Sequence, residues 1–182
     1  MKYNEVDDKS EFEEEIKLNI LENLNSRLLL IDGNPCYGGE DTVRQVIETS
    51  PIPLPEDYIS FLREISGDTS EENSGVEIKI IIPDDEDSTL SLAFDSAQAA
   101  LWRYNEYKEF EAPLYDDIID KVWLVGCDLG DLLYFYGEGK DGFGLYVAEA
   151  GTFCLEDSDK IADSLTDFLV KGVGIDIAIR NV

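Results

Sequence analysis

At 182 residues with 43% hydrophobic side chains, the chain can bury one proper core without disulfides or metals; it carries 41 acidic against 14 basic residues, a net charge of −27. A field of that sign argues against direct binding of nucleic acid or anionic membranes; it either speeds encounter with basic partners or serves solubility alone. With no histidine, the chain lacks Ser–His and Cys–His nucleophile pairs, histidine-based metal sites and the commonest general base at neutral pH.

The N-terminus, MKYNEVDDKSEFEEE, has no apolar signal core, and no apolar run approaches the roughly 18 residues of a membrane span, so the expectation is a soluble, cytoplasmic protein. A helix is predicted over residues 10–30. Ser10 and Glu13 form a capping box, Glu11, Glu14 and Glu15 suit the helix dipole, and Phe12, Ile16, Ile20, Leu24 and Leu28 recur every four residues. That ladder drifts around the cylinder, as in a helix that wraps a core, and it could also dock a second copy.

DGNPCYGG at 32–39 is a turn-rich break. A short helix follows at 40–49 with Val43, Val46 and Ile47 on one face. SPIPLP at 50–55 cannot be helical, because proline removes donors and restricts the residue before it. Pro55 then opens a helix with Glu56 and Asp57 in its first turn, Tyr58, Phe61, Leu62 and Ile65 as its buried stripe, and Gly67 as its stop. After a polar loop at 68–74, GVEIKIIIP alternates Val76, Ile78, Ile80 and Ile82 against Glu77 and Lys79, a half-buried strand ended by Pro83. Asp84, Asp85, Glu86 and Asp87 form an acidic hairpin loop or edge, and SLAF at 91–94 is a second strand.

Asp95 with Gln98 starts a helix whose buried stripe is Ala97, Ala100, Leu101, Tyr104 and Tyr107, with Trp102 off that stripe. KEFEAPLYDDIID at 108–120 is an acidic connector. Residues 121–149, KVWLVGCDLGDLLYFYGEGKDGFGLYVAE, organise the chain: three runs of aromatic and β-branched residues cut by Gly130 and by Gly137, Gly139, Gly142 and Gly144 predict a meander of buried strands. TFCLED at 152–157 reads as a last strand. Ser158 or Asp159 caps a helix carrying Ile161, Leu165, Phe168 and Leu169, and the tail IDIAIRNV is an edge strand or disordered. With no internal repeat and no linker, the whole chain is one domain.

Cys36, Cys127 and Cys154 are odd in number and lack a CxxC pair, as expected of buried free thiols in a reducing compartment. Gly137, Gly139 and Gly142 match GxGxxG, but a strand follows where dinucleotide binding needs a helix, so the match is a hairpin turn. The acidic runs 84–87 and 116–117 lack the spacing of a calcium loop. A carboxylate-dependent hydrolase would require two facing acids that meet only in space. Trp102, Tyr104 and Tyr107 beside Glu106, Glu109 and Glu111 either place the two tyrosines in the core and leave Trp102 partly buried, or form an aromatic and acidic surface that anchors a basic partner.

Four stretches in order resemble the SUKH superfamily, which takes in the yeast cell-wall-assembly regulator domain and many bacterial immunity proteins. They are LPEDYISFLREISG at 54–67, VWLVGCDLGDLLYFY at 122–136, GLYVAE at 144–149 and IADSLTDFL at 161–169. The chain departs from the pattern at Asp68 and in the single Gly of the turn at 128–131. The resemblance implies an α+β domain, a mostly antiparallel central sheet with helices packed against it, with a family-like core over about 54–171 and an N-terminal helical extension over about 1–50. It also implies no catalysis and no cofactor, but a role as an immunity protein that obstructs a cognate toxin, for which a basic nuclease toxin suits the charge. The contact residues expected from sequence are Asp84, Asp85, Glu86, Asp87, Trp102, Glu106, Glu109, Glu111, Asp116 and Asp117. A regulatory or scaffolding domain for an endogenous cytoplasmic protein is the alternative.

Overall fold

Alternating and continuous apolar runs dominate the strands, and a computed structural model shows how they pair. It describes residues 19–68, 70, 73–82, 89–109, 118–128 and 130–180. Seven strands, β1 (Leu28–Asp32), β2 (Gly75–Ile81), β3 (Thr89–Asp95), β4 (Val122–Cys127), β5 (Leu132–Gly139), β6 (Gly142–Glu149) and β7 (Asp159–Ala162), form one sheet in chain order. Every neighbouring pair is antiparallel. Among the described residues five helices accompany it: α1 (Glu40–Thr49), α2 (Glu56–Ile65), α3 (Ala97–Glu109), α4 (Leu165–Leu169) and α5 (Ile175–Arg180). The fold is α+β, as expected.

α1 and α2 form where proline and acidic first turns place them, and the stripe Tyr58, Phe61, Leu62 and Ile65 is buried. Val43 and Val46 are buried on α1, whereas Ile47, expected beside them, faces outward. The loop 33–39 folds back on the end of α2, where Cys36 N–H donates to Glu64 O at 2.7 Å and Gly38 N–H to Arg63 O at 3.0 Å. These bonds satisfy carbonyls that a helix end otherwise leaves without partners.

The sheet has a step in it. β3 meets β4 only at Ala93–Cys127 and Phe94–Gly126, whereas β5 and β6 pair along their full lengths. Gly126 is required at the step, because a Cβ there would collide with the Ala93 carbonyl. Residues 122–125 run past the end of β3, and α3 packs against β4 there, with the Tyr104 ring stacked on Trp123 at 5.2 Å. On the same face Trp123 Nε1 donates to Tyr58 Oη at 3.1 Å, which gives a buried indole the acceptor it needs. Phe135, on the other face, packs on Tyr146 and meets the edge of Phe153 at 4.7 Å. The β4–β6 meander is therefore covered on both faces.

Other expectations fail more widely. Residues 10–18 of the helix predicted over 10–30 lie outside the described residues, and the rest is not α-helical: Leu21–Asn23 is a single 3-10 turn and Leu28–Asp32 is β1. The four-residue ladder was coincidental there, because LLLI gains more by pairing with β2 than by presenting one apolar side to a core. TFCLED is not a strand. A 3-10 turn at Ala150–Thr152 leads into a loop whose Phe153 and Leu155 plug the outer face of the meander, an alternation that mimics a strand. The following helix starts later, at Leu165, capped by Ser164, whose Oγ accepts from Asp167 N–H at 3.1 Å; Ile161 belongs to β7. The tail forms α5, which buries Ile175 and Ala178 against β7. The Gly-rich stretch is the β5–β6 hairpin, turning at Lys140 and Asp141, as predicted. All three cysteines are free thiols, but each is partly exposed and not buried.

Candidate functional site

α3 has an inner and an outer side. At 3.6 residues per turn, the buried Ala97, Ala100 and Tyr104 share one side, and Gln98, Trp102, Glu106 and Glu109 fall together on the opposite one. Trp102 is 62% exposed, the most exposed of the large apolar side chains described. A Trp that holds so much apolar surface in water is available to a partner. Neither Glu106 nor Glu109 takes part in an ion pair among the described residues. Three of the residues expected from sequence to contact a partner thus share one face. Asp84, Asp85, Glu86, Asp87, Glu111, Asp116 and Asp117 lie outside the described residues.

Beside Trp102 an open cavity of about 580 Å³ lies between α3 and the chain entering β2, lined by Asn73, Ser74, Asp95, Gln98, Ala99, Trp102 and Arg103. Its floor is an ion pair at the step in the sheet. Arg103 Nε donates to Asp95 Oδ2 at 2.6 Å and Nη2 to Asp95 Oδ1 at 2.9 Å, with the Asp95 side chain 4% and the Arg103 side chain 21% exposed. Burial pushes the Asp95 carboxyl above its ordinary range, and the Arg103 fork opposes that. The bidentate geometry fixes the rotamer of Arg103 and so the wall on which Trp102 stands. A second cavity of about 200 Å³ continues from the pair across the sheet to Glu77, Ala93 and Cys127.

Sequence reasoning missed this pair. It placed Asp95 as a helix start, whereas the residue ends β3, and the N–H of Ala99 is capped by Ser96 Oγ at 3.3 Å. The eight-residue spacing of Asp95 and Arg103 spans a strand end and two helical turns, a separation that acquires meaning only once β3 and α3 are set at their angle. Glu64 was missed too. It is buried at the end of α2 and accepts the N–H groups of Ile20 at 2.9 Å and Leu21 at 3.1 Å, tying the start of the described chain to the body.

Among the described residues no group of three or more Cys, Asp or Glu is placed to hold a metal ion, and no helix is long and apolar enough to cross a membrane. The site can present an aromatic face, unpaired carboxylates and a shaped cavity. No protein-family model matches the chain, and no curated protein is significantly similar to it in sequence.

Proposed function

We propose that this chain is an immunity protein that binds a cognate toxin domain with a basic surface and obstructs it without chemistry. The observation that carries the reading is Trp102, held out in solvent on the face of α3 that also bears Glu106 and Glu109, which form no ion pair among the described residues. Apolar area supplies affinity after desolvation, and the acids choose the sign of the partner. A net charge of −27 steers a cationic cleft to that face from a distance, and a nuclease must have such a cleft to hold its substrate. The resemblance of four stretches to the SUKH superfamily, many of whose members are immunity proteins, supports the same reading.

Co-purification of the tagged protein with the product of its adjacent open reading frame, at low and at moderate salt, tests it. The expected result is a stoichiometric complex that abolishes the neighbour's toxicity, with an association rate that falls steeply as salt rises. A neighbour that is harmless when expressed alone and forms no complex would replace this reading with a regulatory or scaffolding domain for an endogenous protein.

A further inference from the structure

The cavity beside Trp102 has chemistry of its own. Its one aromatic wall is an exposed indole, and its cation, Arg103, is already engaged by both oxygens of Asp95. Gln98 is oriented by a contact from its Nε2 to Asp68 O at 3.4 Å, which leaves Oε1 as a buried acceptor with no hydrogen-bond partner among the described residues. Glu106 lies one helical turn beyond Trp102 on the same face and has no ion pair among the described residues. An aromatic platform, an acceptor in need of a donor and a nearby carboxylate suit a planar, multiply donating cation.

Resting on the docking role proposed for α3, we infer that this cavity receives an arginine side chain of the protein partner, its guanidinium stacked on the Trp102 indole and within reach of Glu106 and Gln98 Oε1. An anionic ligand is disfavoured, because among the described residues the one guanidinium that lines the cavity is neutralised and the outer face of α3 is acidic. Lysine fits less well, since a compact, strongly hydrated ammonium neither stacks nor donates along two directions in one plane. At about 580 Å³ the cavity has room for the head group and the end of its three-carbon stem, so the arginine would be a central anchor of the interface.

The test is a titration of the full chain with nona-arginine amide, read by isothermal titration calorimetry in every variant and, in wild type, by tryptophan fluorescence as well. Trp123 is fully buried and serves as an internal reference against the exposed Trp102. Nona-arginine is expected to quench the exposed component alone, to bind more tightly than nona-lysine, and to lose about 5- to 30-fold in affinity in Trp102→Ala. Trp102→Phe should retain part of that affinity. An unchanged near-ultraviolet circular dichroism signal from Trp123 would show each variant folded. Nona-arginine affinity equal in wild type and Trp102→Ala would overturn the inference, because the peptide would then be held by the general negative field. The two readings also separate. Trp102-dependent peptide binding with a neighbour that does not co-purify removes the immunity reading and leaves the site. A neighbour captured as well by Trp102→Ala as by wild type removes the site and leaves the immunity reading.

Discussion

The two halves of the sheet are built differently. In β4 and β5 nearly every residue is buried, as are the middle four of β6, because α2 and α3 cover one face and Phe153 and Leu155 plug the other. In β2 burial alternates strictly, with Val76, Ile78 and Ile80 turned inward and Glu77 and Lys79 half in water, and at the edge Leu29, Ile31 and Ile81 are exposed. The halves join at two residue pairs, and the Asp95–Arg103 pair and the Trp102 cavity lie at that join. One half supplies a two-sided core, which resists change. The other has a single covered face and ends where α3 turns its acidic side outward, so the face proposed for docking sits where the core is thinnest.

That contrast can be broken first at Trp123. Trp123→Ala removes a fully buried indole, its stacking on Tyr104 and its bond to Tyr58, and is expected to cost about 3–5 kcal/mol, read as a lower urea midpoint. A loss below about 1 kcal/mol would mean that the two-sided half is not the main core. At the join, Asp95→Ala strands the Arg103 guanidinium and should cost about 3 kcal/mol, at the lower end for buried pairs because Arg103 keeps a fifth of its side-chain surface in water. Adding Arg103→Met should restore part of that loss; if the double variant is worse than the single, the stranded charge was not the cause.

A smaller, pH-dependent effect belongs to Glu64. Burial chiefly raises its pKa above the ordinary 4.5, while the N–H groups of Ile20 and Leu21 pull it down and Glu22 raises it further. A raised carboxyl binds its proton more tightly in the folded chain, so its contribution is full below the unfolded value and is lost as pH rises through the folded one. The stability advantage of wild type over Glu64→Gln should therefore shrink between pH 4 and pH 7 in thermal melts; a constant difference would remove the linkage. Smallest of all, Leu29→Ser and Ile81→Ser on the open face should each change stability by no more than about 0.5 kcal/mol. A loss comparable to that of a core residue would show that this face is covered in solution.

Local signals were read correctly wherever a few neighbouring residues decide the outcome. Proline and an acidic first turn fixed α2, alternation marked β2, and glycines around aromatic runs marked the β4–β6 meander. The off-stripe position of Trp102 was visible as well, because helical periodicity alone separates it from Ala97, Ala100 and Tyr104. Readings failed where an apolar residue could serve two structures equally: Leu28 fits a four-residue ladder or an edge strand, and Phe153 and Leu155 fit a strand or a plug.

The sequence by itself determined the sign of the charge, the succession of most helices and strands, and the off-stripe position of one tryptophan, since composition and short-range periodicity need no knowledge of distant partners. Only the tertiary structure decided that β3 touches β4 at two pairs, that Asp95 and Arg103 close on each other at that step, and that Glu64 holds Ile20 and Leu21. Those contacts join residues whose separation along the chain carries no periodic signal, and what brings them together is the packing of whole elements that must bury their apolar faces.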